Sequence, residues 1–205
     1  RDGAVIETLT KGADDCSESR IIKGMVGREL KDRFPKRTPH IGEVCMEVRN
    51  WTVYHPVYEG RKVCDNVNLT LRRGEVVGIS GLMGAGRTEL AMSIFGRSYG
   101  ADISGQLFIG GKEVHLRSVK DAIRNRLAYV TEDRKGNGLI ISASIRGNTT
   151  LARMEKISHH GVLDKDLEIR AAKEYTEKLH IKCSGVEEKI DNLSGGNQQK
   201  VLLGK

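Results

Sequence analysis

GLMGAGRT, residues 81–88, follows the apolar run EVVGIS at 75–80 and decides the reading of the chain. It matches the phosphate-binding pattern G-x-x-x-x-G-K-[S/T] at Gly81, Gly86 and Thr88, and departs from it at Arg87, which stands where the pattern has lysine. Such a loop works by geometry before charge. Glycines let the backbone turn tightly and aim its N–H groups into one concavity, and the helix that follows adds the positive end of its dipole. The lysine reaches the β- and γ-phosphates, while the Ser/Thr hydroxyl holds Mg²⁺. The flanks suit the motif: Val76, Val77 and Ile79 predict a short buried strand, and RTELAMSIFG predicts a helix with Leu90, Ile94 and Phe95 on one face. Arginine is a longer planar fork than lysine and sits poorly in a lysine-sized space. The loop therefore reads as able to hold a nucleotide and poorly built to hydrolyse it.

About a hundred residues downstream stands LSGGNQQK, residues 193–200. Ser194 is placed to cap a helix, Gly195 and Gly196 let a phosphate approach the backbone, and a helix N-terminus attracts anions. The pairing of the two motifs is far more specific than either alone.

With both motifs in view, the sequence resembles the ATP-binding cassette (ABC) ATPases. More closely, GEVVGISGLMGAGRTELAMSIFGR and YVTEDRKGNGL resemble the second cassette of the tandem-cassette ATPases that serve bacterial sugar importers of the ribose, xylose and galactose type. In that cassette arginine often replaces the loop lysine, so Arg87 agrees with the subfamily. The resemblance implies an α/β fold: a P-loop NTPase with an antiparallel β-subdomain and a helical subdomain, truncated before Walker B. The Walker B carboxylates and the switch histidine are expected beyond Lys205, so a fragment of this extent is expected to hydrolyse no ATP unaided. The implied organisation is the tail of a preceding cassette in residues 1–30, a linker in 31–42 containing Pro35 and Pro39, and an incomplete second cassette from 43 to 205, with its helical subdomain at about 136–192.

The resemblance also assigns residues. Gly81, Leu82, Met83, Gly84, Ala85, Gly86, Arg87, Thr88 and Glu89 form the ATP loop, with Thr88 on Mg²⁺. Leu193, Ser194, Gly195, Gly196, Asn197 and Gln198 form the signature, which completes the ATP site of the other cassette. Cassettes of this kind carry an aromatic residue that stacks on adenine; within WTVYHP, Tyr54 is preferred, with His55 and Trp51 as alternatives. Glu132 stands where most of the family has a glutamine that contacts Mg²⁺ and the attacking water. The implied cofactors are ATP and Mg²⁺. The implied partners are the first cassette of the same chain, transmembrane permease subunits and, indirectly, a periplasmic sugar-binding protein, with the protein at the cytoplasmic face of the membrane. WTVYHP and FGRSYG look closest to xylose-type or multiple-sugar importers. Alternatives in another class are a soluble non-transport ABC ATPase and a non-catalytic nucleotide-binding module.

Composition bounds these readings. The 205 residues carry a net charge of +7, which suits an anionic ligand, but aromatics are only 4% and no basic patch alternates with them, so nucleic acid is not expected. Cys16, Cys45, Cys64 and Cys183 are dispersed, without the spacing of a zinc or disulfide framework. No apolar run approaches the ~20 residues of a membrane span.

The remaining elements follow from periodicity. RDGAVIET reads as the end of a hairpin with a strand, and SESRIIKGMVGREL as a helix with Ile21, Ile22, Met25 and Val26 on one face. EVCMEV, CDNVNLTLRRG, GQLFIGG and LAYV read as strands. SVKDAIRNR, ASIRGNTTLA and LDKDLEIRAAKEYTEKLHI read as helices, the last packing through Leu167, Ala171, Tyr175 and Leu179. The resemblance makes residues 142–192 the helical subdomain that touches the membrane subunits. His159–His160 lacks the further ligands that a metal site needs.

Overall fold

A computed structural model describes residues 4–27 and 36–205. The described residues fall into two units: one from 1–42 with 73–75, the other from 43–72 with 76–205. In the first unit, helix α1 spans Glu18–Val26, where SESRIIKG led us to expect it. Its apolar residues Ile21, Met25 and Val26 are exposed within the described structure. The expected strand in RDGAVIET is not formed: residues 5–10 are irregular, and the nearest pairing is an isolated bridge between Lys11 and Asp14. Arg1–Gly3, and the linker's Pro35, lie outside the described residues.

The second unit opens with strands β1 (Val44–Tyr54) and β2 (Lys62–Arg72). Helix α2 (Arg87–Ile94) comes next, then β3 (Ala101–Ile109), β4 (Lys112–Glu113) and α3 (Val119–Arg124). The strands make one antiparallel sheet in the order β2-β1-β3-β4. β1 is irregular between Val48 and Tyr54, and Asn50 and Asn66 take left-handed backbone there, which asparagine tolerates better than most residues. Trp51 beside this irregularity packs into the core, and its Nε1 donates to Ser93 Oγ at 2.9 Å, so the buried indole N–H is satisfied. Val48, Val53, Leu107, Leu90, Ile94, Leu116 and Ala122 complete that core.

Two expected strands are absent as strands. Residues 75–82 and 127–131 are extended or irregular but pair with no ladder. Val76 is 80% exposed and Ile79 51%. The composition is right for buried strands; what is missing among the described residues is a neighbouring strand to accept their backbone hydrogen bonds, and a lone extended segment has no ladder.

The helical half follows. A single π-helical turn covers Arg134–Gly138. Helix α4 (Ile145–Thr150) runs into a 3₁₀ segment (Leu151–Ile157), and a small hairpin pairs β5 (Ser158–His159) with β6 (Val162–Leu163). Helices α5 (Lys165–Lys178) and α6 (Gly195–Gly204) complete the unit. Leu139, Ile145, Ile181, Ile190, Leu193, Val201 and Leu202 form its core. The buried line of α5 differs from expectation by one position. It runs through Glu168 and Ala172, while Tyr175 is exposed, because Glu168 is drawn inward by Arg146 Nη1 and by Thr150 Oγ1, which donates to it at 3.2 Å. Arg146 also grips the exposed carboxylate of Glu187 from Nε at 2.7 Å and from Nη2 at 3.2 Å. Hydrogen bonding to Glu187 and Glu168 holds the Arg146 guanidinium above its ordinary pKa.

This trio predicts unequal stability effects. Glu168→Ala strands part of a guanidinium and a hydroxyl in a half-closed site and should cost about 3 kcal/mol. Glu187→Ala removes a solvent-screened partner and should cost under about 1 kcal/mol. Urea denaturation of the two variants, monitored over the helical half, checks the difference; equal costs would show that Glu168 is no anchor.

No helix of the described residues is long and apolar enough to cross a membrane.

Candidate functional site

The loop at 81–88 is built on contacts from β2. Gly86 is the N-cap of α2 with φ +80°, a left-handed conformation that suits glycine, and a Cβ there would come within 2.5 Å of the Val63 carbonyl oxygen. Below it the Cys64 thiol is buried against the Gly86 carbonyl, Sγ to oxygen 3.8 Å, and burial raises the thiol's pKa. Leu82 and Met83 are almost fully exposed on the outer side of the turn, and the Ala85 N–H donates to the Leu82 carbonyl at 3.1 Å. Arg87 is exposed, with its Cδ and Nε close to Gly81: a Cβ on Gly81 would lie 3.8 Å and 3.9 Å from them. Its fork thus folds back over the loop. Glu89, in the first turn of α2, is half-buried.

Thr88 Oγ1 donates to Glu132 Oε1 at 3.1 Å, across 44 positions of sequence. A hydroxyl on the first turn of α2 and a carboxylate after the 127–131 segment therefore meet at the loop. An oxygen pair of this kind is suited to a hard divalent cation such as Mg²⁺. Among the sequence-selected residues the fold thus joins Thr88 and Glu132 across two distant segments.

The signature lies at the start of α6. Ser194 occupies the N-cap position, but its hydroxyl makes no capping bond; it accepts from Asn197 Nδ2 at 3.1 Å instead. Ser194, Gly195 and Gly196 are exposed, whereas Leu193 and Gln198 are buried. Gln198 Nε2 donates to the carbonyls of Ile190 at 3.0 Å and Leu193 at 3.2 Å, which fixes the turn leading into the helix. The motif thus divides into a solvent-facing Ser-Gly-Gly and a buried Leu and Gln that seat it.

At the end of β1, Tyr54 is half-buried and its backbone pairs with Lys62 on one side and Ala101 on the other. His55 Nδ1 accepts from the N–H groups of Val57 and Tyr58, both at 3.1 Å. The His55 ring lies 4.6 Å from Tyr58 and 6.3 Å from Tyr99, centroid to centroid. Trp51, one of the alternatives for stacking on a base, is a core residue at 4% exposure and offers no free ring face. Tyr58 and Tyr99 were not singled out from sequence; Tyr99 lies 45 positions after Tyr54, and only the β1–β3 pairing brings it near.

Arg134 was also passed over. Its Nε donates to Gln198 Oε1 at 3.2 Å, joining the segment after Glu132 to the signature helix. The available signal was its position two residues after Glu132 in TEDRKGNG. Among the described residues, no group of three or more His, Cys, Asp or Glu side chains is placed to hold a metal ion.

Residues 64–205 match the protein family described as ABC transporter. The whole chain is 58% identical to the L-arabinose transport ATP-binding protein AraG of Geobacillus stearothermophilus, covering 40% of that protein. It is 42% identical, with the same coverage of both chains, to the xylose import ATP-binding protein XylG of Thermoanaerobacter pseudethanolicus. Over 191 residues, 93% of this chain and 37% of the relative, it is 42% identical to the ribose import ATP-binding protein RbsA of Bacillus cereus. The chain thus spans well under half the length of these relatives. Among solved structures it is similar to the ATP-binding cassette MJ0796 in a dimeric, post-hydrolysis state bound to ADP and Pi. That match has a TM-score of 0.61 at 21% identity and covers 78% of this chain and 67% of that one. A nucleotide-free ATP-binding cassette from an ABC transporter matches with a TM-score of 0.61 at 17% identity, over 78% and 63% of the two chains. At these identities the structural matches speak for the fold alone, which is that of an α/β P-loop NTPase with an antiparallel sheet and a helical part. The chain belongs to the ABC transporter family.

Proposed function

We propose that this chain carries the tail of the first cassette and the N-terminal part of the second in the ATP-binding subunit of a monosaccharide importer. In this reading residues 1–30 close the preceding cassette, 31–42 link the two, and 43–205 are part of the second, with a helical subdomain at about 136–192. The subunit sits at the cytoplasmic face of the membrane against permease subunits, which a periplasmic binding protein supplies with sugar. The relatives named for arabinose, xylose and ribose support a pentose as the cargo.

Two cassettes face each other head to tail, so that each ATP lies between one cassette's loop and the other's signature. Gly81–Glu89 then hold ATP through backbone N–H groups and the α2 dipole, Tyr54 stacks on adenine, and Thr88 ligates Mg²⁺ with Glu132 in reach. The chemistry of the donor set fits: an exposed glycine turn, a cation and two hard oxygens. Arg87 and Glu132 both depart from the pattern of an efficient hydrolytic site, the first by its size and the second by repelling a γ-phosphate. Leu193, Ser194, Gly195, Gly196, Asn197 and Gln198 serve the first cassette's ATP, whose turnover drives transport. This cassette binds and closes; its signature supports chemistry next door.

The Thr88–Glu132 contact is the observation that supports the reading most, since a hydroxyl and a carboxylate meet beside the glycine loop. Calorimetry on the full-length protein, with the preceding loop inactivated, tests it. Mg-ATP should bind, and Thr88→Ala should weaken Mg-ATP about tenfold, ~1.4 kcal/mol, while leaving metal-free ATP unchanged. No binding at millimolar ATP would end the nucleotide assignment. Uptake of labelled arabinose, xylose and ribose by cells with and without the protein tests the cargo.

A further inference from the structure

Ser194 and Asn197 stand at the start of α6, the first as N-cap and the second in the opening turn. A serine N-cap ordinarily turns its oxygen to a backbone N–H of that turn. Here a side chain takes the oxygen instead: Asn197 Nδ2 donates to Ser194 Oγ at 3.1 Å, and the hydroxyl makes no capping bond. Asn197 is half-buried, while Ser194 is exposed.

The other end of the same amide decides its orientation. The Lys182 N–H donates to Asn197 Oδ1 at 3.1 Å. A backbone N–H can only donate, so the amide oxygen faces Lys182 and the NH2 faces Ser194; the reverse would set two donors against each other. Lys182 is itself held. Ile181 before it is buried in the core of the helical half, and its N–H donates to the Thr176 carbonyl at 2.9 Å. Lys200 Nζ, the next turn along α6, donates to the His180 carbonyl at 2.6 Å. Two side chains of α6, Asn197 and Lys200, thus tie the helix to residues 180–182.

A serine hydroxyl carries one proton and two lone pairs. Because Oγ accepts from Asn197, the proton does not lie on that line, and among the described residues it goes to no other acceptor. It stays available on the solvent side, beside the N–H groups of Gly195 and Gly196, which have no partner within the helix. The geometry points to Asn197 as a positioning residue that keeps the Ser194 O–H turned outward, as a donor to the phosphate of the ATP held by the first cassette. The inference rests on the functional reading above, in which Ser194 faces that ATP. Asn197 need not touch the nucleotide, because both polar atoms of its amide are engaged within the chain. A donor already set in place needs no reorganisation when charge develops on the phosphate.

A double-mutant cycle on ATP turnover by the full-length transporter tests the role. Ser194→Ala should lower kcat about 10²-fold. Asn197→Asp keeps the shape and the oxygen facing Lys182, but puts an oxygen that only accepts where the NH2 stood. The Ser194 O–H then turns inward to donate to it, and kcat should fall about tenfold or more, with KM for ATP within about threefold of the parent. Added to Ser194→Ala, Asn197→Asp should lower kcat by less than about threefold more, since no hydroxyl is left to turn. An effect of the new negative charge on the phosphate, or of a disturbed helix, would persist in that background. Asn197→Ala removes the amide without adding charge and carries the same cycle if the aspartate variant assembles poorly. An unchanged kcat in Asn197→Asp, or a loss undiminished in the Ser194→Ala background, overturns the positioning role and leaves the functional reading standing. A Ser194→Ala transporter that turns over ATP at the parent rate overturns both.

Discussion

Ser194→Arg in the full-length transporter will reduce ATP turnover about 10²-fold or more, and sugar uptake with it. Ser194 stands at the start of α6, where unpaired backbone N–H groups and the helix dipole favour an anion. In the proposed sandwich this turn points at the γ-phosphate held by the partner loop, where charge develops during phosphoryl transfer. Removal of one oriented donor at such a position costs on the order of 10²-fold in rate. Arginine adds bulk across the same opening. The fold should not suffer, because Ser194 is exposed and its hydroxyl caps nothing; it only receives a bond from Asn197. The matched comparison is Arg87→Ala, which strips a cation from a loop already ill-suited to chemistry and should cost less than about tenfold. Phosphate release and uptake are measured on both variants, with assembly and thermal midpoints checked. Equal losses would mean that the Arg87 loop is itself a catalytic site and that the asymmetric assignment is wrong.

How much of this was legible without coordinates depends on what each signal requires. The glycine spacing and the strand-like run before it need only local chemistry, and α2 begins at Arg87 as the motif demands. The strands at EVCMEV, CDNVNLTLRRG and GQLFIGG were readable from their residue pattern and the helix at SVKDAIRNR from its own, where Ser118 Oγ accepts from the Asp121 N–H at 3.2 Å. Signals that need a second segment were less legible. Val76–Ile79 has the composition of a buried strand, but a strand is a pairing, and among the described residues nothing pairs with it. The α5 face was misplaced by one position because helical periodicity counts apolar residues, and the residue buried there is a glutamate held by Arg146 and Thr150. Trp51 stood among the alternatives for stacking on adenine because the partner that holds it in the core, Ser93, is 42 residues away. The same holds for the site. The loop and signature could be read as separate strings, whereas the Thr88–Glu132 and Arg134–Gln198 contacts between them span 44 and 64 positions and leave no periodic trace.

The second large effect concerns the loop itself. Gly86→Val should abolish nucleotide binding at this cassette, a loss of at least about 10²-fold. Two costs combine at that position. The left-handed backbone at φ +80° is a genuine outlier for a β-branched residue and costs roughly 1–3 kcal/mol. Independently, the first side-chain carbon would sit 2.5 Å from the Val63 carbonyl oxygen, well inside contact distance, and backbone on β2 has little room to yield. The cheapest escape is for residue 86 to leave the left-handed region, which swings the first turn of α2 and carries Arg87 and Thr88 off the loop. Because Gly86 caps the helix whose N–H groups would face the phosphates, the anion cradle is lost together with the hydroxyl. Each 1.4 kcal/mol is tenfold in affinity, so a strain of about 3 kcal/mol relieved by this movement accounts for the expected loss. Calorimetry with Mg-ATP on the full-length protein measures it, with far-UV circular dichroism confirming that the sheet and helices persist. Thr88→Ala, which removes the hydroxyl and leaves the backbone alone, separates lost metal ligation from lost loop geometry: it should weaken only Mg-ATP, while Gly86→Val should abolish binding of ATP with and without the metal. A Gly86→Val protein that still binds metal-free ATP within threefold of the parent would show that the phosphates lie elsewhere.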